Sequence, residues 1–390
     1  MTRVARALGI VVVAVALLGA AAPTTTTTAP PTGDAFYVPP VPLPLGEPGD
    51  LVRSVPIAAP SGARAWRVLS HTRALTGEER ALSSVVVAPD GPAPKRGRVI
   101  VSWAHGTTGL ADQCAPSKDA NVALNVPWIS DLLAAGYVVV ATDYQGLGTP
   151  GLHPYLVGES EGRAVLDAAR AARHLPTGAG KRVLIAGHSQ GGHAALFAGE
   201  IAREYAPELR VLGVASGAPV SDPGRFLDLT GASRSTAGFV LMGVSGYLVA
   251  YPELARMPSI LTPEAALRAD LAQSACAGEV IGGFANDTVT GLFAQDLRAN
   301  PEWARRLDEN AAGHRAAGAP VLVWQGSADP LTPASINGDY VTKACAQGST
   351  VAYDLYDGAD HGTVLAAAHD DVLQFFAARA AGKKPHSDCS

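Results

Sequence analysis

The sequence predicts an α/β fold in which helices cover both faces of a mainly parallel sheet and one helical insertion interrupts it. Eight short segments rich in β-branched residues recur, at residues 65–68, 84–88, 99–103, 137–141, 183–186, 211–214, 321–324 and 351–355. From the third segment onward, helical patterns such as those at residues 161–174 and 194–205 fall between them, which is typical of a parallel sheet. The first two segments have no helix between them, so we expect them to pair antiparallel at one edge.

The length and composition allow one large core with an insertion. The chain has 390 residues, of which 47% are apolar, so neither a disordered nor a fibrous protein is expected. Its net charge is -5 and it has no long run of lysine or arginine, which removes the electrostatic case for a nucleic-acid partner. We expect a globular monomer that acts on small neutral or apolar molecules.

The first 50 residues are typical of an export signal followed by a tether. Arg3 and Arg6 precede an uncharged apolar run that ends in small residues, which predicts a signal peptide over residues 1–22. An uncleaved membrane anchor is the alternative, but about 15 apolar residues fall short of the roughly 20 that a spanning helix needs. Residues 23–50 are rich in threonine and proline and predict a flexible or extended tether. The chain is therefore expected to be secreted.

The sheet pattern is interrupted by a stretch of about one hundred residues. Residues 218–318 contain helical segments but no convincing strand. Residues 262–264 and 300–302 each combine a capping residue, a proline and a glutamate, which is a helix start signal. Residues 239–250 form an apolar run that is too short to span a bilayer and predicts a helix buried at an interface. We expect residues 51–217 and 319–390 to form the core, and residues 218–318 a helical cap.

The most informative stretch of the sequence is a G-H-S-Q-G motif centred on Ser189. A β-branched segment precedes it and an alanine-rich helical segment follows it. G-x-S-x-G between a strand and a helix is a nucleophile elbow, a turn so sharp that the serine backbone is strained. The strand and helix nearly touch at the positions of Gly187 and Gly191, where only small residues fit. An ordinary glycine-serine turn is the alternative, but the context favours Ser189 as a nucleophile.

An acid and a base follow the last two predicted strands. Asp329 and His361 both lie where a strand ends, which is where open α/β sheets build their sites. The order Ser189, Asp329, His361 is the order of the catalytic triad in α/β-hydrolases. Asp360 is the rival acid, but a residue adjacent to the base normally points elsewhere. We expect His188 to be a structural or pocket-wall residue, since it is too close to the serine backbone to align with its hydroxyl.

Two backbone amides are expected to form an oxyanion hole. One is the N–H of Gln190, directly after the nucleophile. The second comes from the loop after the third predicted strand, where Gly106 and Thr107 are the two candidates. Small residues in this loop would let its backbone approach a substrate, although a plain glycine turn is the alternative reading of the same residues.

The cysteines predict disulfides rather than a metal site. Four cysteines in an exported chain indicate two disulfides, with three possible connectivities among Cys114, Cys276, Cys345 and Cys389. None of them forms C-x-x-C, and no histidine pair has the close spacing of zinc ligands. We therefore expect no metal and no cofactor.

Five stretches carry a resemblance to a known family, at residues 112–117, 143–148, 153–156, 187–191 and 323–330. In these stretches the chain resembles the secretory lipases, typified by lipase A of the yeast Candida antarctica. The resemblance covers most of the mature chain and implies an α/β-hydrolase core, a helical cap over the site and a triad of Ser189, Asp329 and His361.

The resemblance also implies a disulfide pairing, with Cys114 joined to Cys276 and Cys345 joined to Cys389. The first pair would tie the cap to the core, and the second would hold the C-terminal tail.

Together these features predict a secreted hydrolase of carboxylic esters or lipids that makes transient contact with a lipid surface. Ser189 would attack the ester carbonyl while His361 takes its proton, and water would then cleave the acyl-enzyme. Acyl transfer to an alcohol or sugar, peptide hydrolysis and a non-catalytic binding protein are the alternatives.

Overall fold

The computed structural model describes residues 31–256 and 259–389, so the predicted signal peptide and the start of the predicted tether lie outside the described residues. Nine strands in this part of the chain form one sheet. They are β1 (Leu51–Ile57), β2 (Ala63–Arg73), β3 (Glu79–Pro89), β4 (Arg98–Ala104), β5 (Val138–Thr142), β6 (Ala179–His188), β7 (Arg210–Gly217), β8 (Val321–Gly326) and β9 (Val351–Tyr356). Their order across the sheet is β1-β2-β3-β5-β4-β6-β7-β8-β9. Strands β4 to β9 pair in parallel, and β1 to β3 are antiparallel to their neighbours.

The α-helices of the described residues are α1 (Val122–Asn125), α2 (Ile129–Ala134), α3 (Gly158–Ala172), α4 (Gln190–Tyr205), α5 (Pro223–Thr230), α6 (Ala237–Ala250), α7 (Pro252–Ala255), α8 (Pro263–Ala266), α9 (Leu271–Ser274), α10 (Ala277–Gly283), α11 (Pro301–Glu309), α12 (Ala334–Ala346), α13 (Val364–Ala367) and α14 (His369–Ala380). Helices α1 to α4 and α12 to α14 contact the strands and cover both faces of the sheet. In β6, Val183 and Ile185 pack with α3 and α4, whereas Leu184 and Ala186 pack with α2 and α14. Strand β6 is therefore buried on both faces at the centre of the sheet.

Seven of the eight predicted strand segments lie within observed strands, and the eighth, at residues 137–141, begins one residue before β5. The first two pair antiparallel as β2 and β3. The sequence pattern does not predict β1, which forms the edge of the sheet in place of β2. Strand β1 contains Pro56, which cannot donate to a ladder and is tolerated at an edge. Its side chains are only partly buried and do not alternate between apolar and polar, so the pattern of a half-buried strand is absent.

Part of the predicted tether is packed on the core. Gly33–Tyr37 form a short 3-10 helix in which Phe36 and Tyr37 are buried. Phe36 and Tyr37 form a cluster with Leu69, and the Tyr37 hydroxyl lies 2.9 Å from Ser117 Oγ. The prediction of a flexible or extended tether is wrong for these residues, because burial of two aromatic side chains holds them in place.

Helices α5 to α11 occupy the segment between β7 and β8. No strand occurs in its described parts, residues 218–256 and 259–318. Thr262 and Asn300 cap α8 and α11, as predicted, by accepting hydrogen bonds from backbone amides of the first turn. Helix α6 contains the predicted apolar run and packs against α9 and α10. None of the described helices is long and apolar enough to cross a membrane.

Two disulfides join distant parts of the chain, and their connectivity is the one that the resemblance implied. They are Cys114–Cys276 and Cys345–Cys389. The first ties the loop after β4 to the start of α10, where the Ala277 amide also donates to the Thr108 carbonyl over 2.9 Å. The second holds the C-terminal tail beside β9, where the Asp388 amide donates to the Val351 carbonyl over 2.8 Å.

Removing the disulfides should destabilise the protein in a defined order. Chain-entropy estimates for sequence separations of 162 and 44 residues give upper values of about 5 and about 4 kcal/mol. We expect the double variant Cys114→Ser/Cys276→Ser to lose more free energy of unfolding than Cys345→Ser/Cys389→Ser. Urea denaturation of both variants and the unmodified protein measures this. An equal or reversed order would contradict the entropic account.

Candidate active site

The turn between β6 and α4 is a strained elbow that presents Ser189. This residue has φ 61° and ψ -120°, a backbone conformation that residues with a side chain rarely adopt. A Cβ atom on Gly187 would lie 2.1 Å from the Gly191 carbonyl oxygen, and one on Gly191 would lie 1.9 Å from the Ala104 carbonyl oxygen. Only glycine fits at either position, so the close approach that the motif predicted is present.

Asp329 and His361 form a buried acid–base pair. Oδ2 of Asp329 lies 2.7 Å from Nδ1 of His361. The carboxylate also accepts hydrogen bonds from the Gln325 side-chain amide, the Thr332 hydroxyl and the backbone amides of Leu331 and Thr332. Burial alone would raise the pKa of Asp329, but the hydrogen bonds from His361 and Thr332 outweigh it and lower that pKa. An ionised Asp329 keeps the His361 proton on Nδ1, which leaves Nε2 free to accept a proton.

The alternative acid, Asp360, makes its hydrogen bonds within its own turn. Its Oδ1 accepts hydrogen bonds from the backbone amides of Gly362 and Thr363 and from the Thr363 hydroxyl, at 3.0, 2.8 and 2.7 Å. These bonds lower the pKa of Asp360, and the side chain is exposed. Asp360 therefore stabilises its own turn, and Asp329 is the carboxylate that meets the imidazole.

His188 contacts the loop that carries His361. Its Nε2 lies 2.8 Å from the His361 carbonyl oxygen, and because a carbonyl only accepts, His188 carries a proton on Nε2 and donates it. The His188 ring stacks on Trp324 with centroids 5.5 Å apart. Burial lowers the pKa of His188 to about 3, and the neighbouring His361 adds to the effect. His188 is thus a neutral structural residue, which agrees with the expectation from the sequence.

The predicted oxyanion residues lie next to the elbow. A Cβ atom placed on Gly106 would be 3.7 Å from Ser189 Cβ, so this loop backbone approaches the serine closely. Gln190 is the first residue of α4, and its N–H is one of the amides at a helix start that have no partner within the helix. The Thr107 hydroxyl lies 2.7 Å from the Tyr155 hydroxyl. This contact anchors the loop to a residue outside the elbow.

A network of buried polar side chains connects the elbow to α3 through Gln190 and Glu161. The Gln190 side-chain amide is 2.7 Å from Glu161 Oε1 and 2.8 Å from His153 Nε2. Glu161 Oε1 also accepts from the Leu156 amide, and Oε2 lies 3.2 Å from His193 Nδ1. Burial lowers the pKa of His153 to about 4, although Glu161 opposes the shift. The neutral His153 ring therefore accepts at Nε2 and donates from Nδ1 to the Gln145 carbonyl.

Sequence reasoning missed two parts of this arrangement. Thr332, which binds the acid, follows Asp329 by three residues, and an aspartate with a threonine at that spacing is a recognisable local turn signal. Glu161 lies within an ordinary helical pattern, and nothing near it in the sequence indicates that it meets Gln190. Its role depends on the packing of α3 against α4.

Ser189 and His361 line an apolar pocket enclosed mainly by residues of the segment between β7 and β8. The cavity volume is about 50 Å³. Its apolar wall includes Val220, Phe226, Leu227, Phe239, Val240, Val244, Leu297 and Leu307. Helix α6 contributes several of these side chains from one face, at a spacing of three or four residues. A pocket of this character can hold a hydrocarbon chain beside the serine.

The site offers a strained serine, an imidazole paired with an ionised acid, and backbone amides near both. Among residues 31–256 and 259–389, no group of three or more histidine, cysteine, aspartate or glutamate side chains is arranged to hold a metal ion. The protein groups present suit acyl transfer from an ester through a covalent intermediate.

Comparison with known proteins agrees with this chemistry. A family model described as secretory lipase matches residues 113–388. Lipase A of Moesziomyces aphidis is 28% identical over 375 residues, which cover 85% of this chain and 76% of that protein. A secreted triacylglycerol lipase of Malassezia globosa is 27% identical over 389 residues, which cover 91% of this chain and 81% of that protein.

The fold is also that of a solved lipase. The closed state of Candida antarctica lipase A matches with a TM-score of 0.79 and 22% identity, over 93% of this chain and 89% of that chain. The predicted α/β-hydrolase fold, a mainly parallel sheet with helices on both faces, is confirmed.

Because His188 is buried and neutral, the free energy of unfolding should depend on pH. The substitution His188→Gln should remove this part of the dependence. Its folded pKa, about 3, is below the ordinary value near 6.5, so its contribution is complete above pH 6.5 and is lost as the pH falls. The advantage of the unmodified protein over His188→Gln in free energy of unfolding should shrink by about 2 kcal/mol between pH 7.5 and pH 5. Urea denaturation at several pH values measures this.

His369→Gln is the control, because the contribution of His369 to the free energy of unfolding should change with pH in the opposite direction. Hydrogen bonds that His369 donates to Asp131 and Asp370 raise the pKa of His369, so its contribution is present at low pH and is lost as the pH rises. If the pH profiles of His188→Gln and the unmodified protein run parallel, His188 is not a buried neutral residue.

Proposed function

Because this chain belongs to the secretory lipase family and is a secreted carboxylic ester hydrolase, we propose that Ser189, His361 and Asp329 are its catalytic triad. The observation that carries the proposal is the 2.7 Å contact between the buried Asp329 carboxylate and His361 Nδ1, in a pocket that His361 shares with the strained Ser189. The substrates are lipid esters or other carboxylic esters.

The proposed reaction follows from these contacts. His361 Nε2 takes the proton of the Ser189 hydroxyl as the serine oxygen attacks the ester carbonyl. Asp329 keeps the imidazole in the required tautomer and stabilises the imidazolium that forms. The protonated His361 then gives its proton to the leaving alcohol. Attack of water on the acyl-enzyme, with His361 again as the base, releases the acid and restores Ser189.

We also propose that backbone amides bind the negative charge that develops on the carbonyl oxygen. The N–H of Gln190 lies at the start of α4, where the helix dipole favours an anion. The second donor belongs to the loop at Gly106 and Thr107, which Tyr155 holds beside the elbow. One such donor contributes roughly 2.7 to 4 kcal/mol in the transition state.

The segment of residues 218–318 is proposed to be the cap that binds the acyl chain. Its side chains form most of the apolar wall beside Ser189, and each methylene buried there contributes roughly 0.8 kcal/mol. Transient contact with a lipid surface is a further prediction from the sequence. The monomeric state remains a prediction.

Substitution of the triad tests the proposed chemistry. We expect Ser189→Ala to abolish ester hydrolysis without unfolding the protein. Asp329→Asn should lower turnover by a factor on the order of 10⁴, because the imidazole then takes the wrong tautomer. Asp360→Asn is the matched control and should change turnover little, since its carboxylate caps its own turn. Turnover of a p-nitrophenyl ester measures all three, and a severe loss with Asp360→Asn alone would refute the acid assignment.

Filling the pocket should change acyl-chain preference. A Cβ atom on Gly243 meets no atom within 4 Å and this residue lines the pocket, so Gly243→Trp places its side chain beside the acyl site. Gly246 is unsuitable because a Cβ there would lie 2.5 Å from the Tyr155 backbone. We expect kcat/KM to rise with chain length in the unmodified protein, and Gly243→Trp to reduce it more for long chains than for acetate.

The measurement is kcat/KM across p-nitrophenyl esters from acetate to palmitate. Gly278→Trp is the control, since Gly278 is exposed on α10 and a Cβ there also meets no atom within 4 Å. A sharp optimum at acetate in the unmodified protein would make the enzyme a small-ester esterase and exclude a role of this pocket in binding acyl chains.

A further inference from the structure

The apolar pocket beside Ser189 contains buried hydrogen-bond donors that have no acceptor. Thr236 Oγ1, Tyr247 Oη and Trp303 Nε1 have no hydrogen-bond partner among the described residues, and all three residues line the pocket. Thr236, Tyr247 and Trp303 are 0%, 2% and 1% exposed, so bulk water does not reach them. Eleven buried side-chain atoms of the described chain lack a partner, and three of them belong to this one pocket. A buried donor without an acceptor costs free energy, and native proteins rarely leave one unexplained.

Tyr247 and Trp303 form one unit within this set. Their rings stack with centroids 6.1 Å apart and an interplanar angle of 10°. Thr236, the residue directly before α6, lies eleven residues before Tyr247, about 16 Å away at the rise of an α-helix. The stacked pair and Thr236 are therefore separate polar positions at opposite ends of an apolar stripe.

Asn310 is a polar side chain beside Tyr247 that makes its hydrogen bonds with other groups. Burial raises the pKa of Tyr247, and Asn310 acts in the opposite direction. The two hydrogens on Asn310 Nδ2 are already donated to the Tyr251 hydroxyl and the Arg306 carbonyl. Its Oδ1 accepts from the Gly158 amide over 2.8 Å. The Tyr247 hydroxyl proton is therefore left available to a ligand, as is the indole N–H of Trp303, which can only donate.

We propose that Tyr247 and Trp303 form a polar subsite that binds an oxygen atom carried on the acyl chain of the substrate. The substrate class is then esters of oxygenated fatty acids, whose ether, hydroxyl or carbonyl oxygen lies several carbons from the ester. The proposal rests on the proposed function in one respect, that the pocket receives the acyl part of the ester. An acceptor oxygen can pair with either donor, whereas a plain hydrocarbon chain leaves both unpaired.

An oxygen scan tests the subsite. The probes are p-nitrophenyl dodecanoate and a series of matched esters in which an ether oxygen replaces one methylene at successive positions from the fourth carbon outward. Each rate is divided by the rate of hydroxide hydrolysis, which removes differences in intrinsic reactivity. At one or two adjacent positions we expect the ether ester to be cleaved roughly three- to tenfold faster than the ether esters at the remaining positions, the value of one net hydrogen bond. At other positions the oxygen should cost about fourfold, the value of a lost buried methylene.

Two variants identify the donors, and the readout is the ratio of ether ester to plain ester. Tyr247→Phe and Trp303→Phe should each reduce the preference at the favoured position. Tyr251→Phe is the matched control, because it removes a hydroxyl that is bonded to Asn310 and does not line the pocket, and it should keep the preference. The proposal is overturned if the ratio of ether ester to plain ester is the same at every position, or if Tyr251→Phe removes the positional preference and Tyr247→Phe does not.

A binding measurement separates this proposal from the proposed function. Calorimetric titration of Ser189→Ala with dodecanoic acid and with the ether-containing acids measures their affinities without turnover. The ratio of these affinities replaces the ratio of rates. If the protein fails to cleave p-nitrophenyl dodecanoate, the proposed function fails, and the ratio of these affinities still decides on the subsite. An oxygen preference found only in the alkyl part of dodecyl acetates would place the alcohol in the pocket and overturn the acyl assignment.

Discussion

The rest of the site depends on the close approach of β6 and α4 at the elbow. A side chain at Gly187 or Gly191 would overlap backbone atoms at about 2 Å, so the two elements can be this close only with glycine at both positions. The approach forces Ser189 to φ 61° and lifts its side chain out of the turn into the pocket. Such strain costs of order 1–3 kcal/mol and persists only where surrounding structure fixes it. Here the surrounding structure is the central strand of the sheet, buried on both faces.

Buried polar contacts fix the other groups relative to that turn. Gln190 is joined through its side chain to Glu161 of α3, so the amide that follows the serine is connected to a second helix. On the other side of the site, the loop of His361 is held twice, by Asp329 through the ring and by His188 through the carbonyl. His188 belongs to the elbow itself. The end of β6 therefore positions both Ser189 and the loop that carries His361. This arrangement limits independent movement of the base and the nucleophile.

The segment between β7 and β8 adds mainly apolar side chains to the site. It supplies most of the apolar side chains of the pocket, and the Cys114–Cys276 disulfide fastens it to the loop after β4. The core carries Ser189, Asp329 and His361, whereas this segment forms most of the pocket wall. The unpaired donors of Tyr247 and Trp303 lie in this segment, on α6 and α11.

The sequence by itself determined the strands β2 to β9, the helical segment between β7 and β8, the elbow and the order of Ser189, Asp329 and His361, because these depend on local patterns and on chain order. It failed at β1 and at Phe36 and Tyr37, whose placement depends on a partner strand and on surfaces far along the chain. Only the tertiary structure decided that Asp329 rather than Asp360 meets the imidazole, that Glu161 supports Gln190, and that three donors in the pocket lack acceptors. The first two are contacts between residues distant in sequence, and a hydrogen bond needs angstrom-level placement that composition and periodicity do not encode.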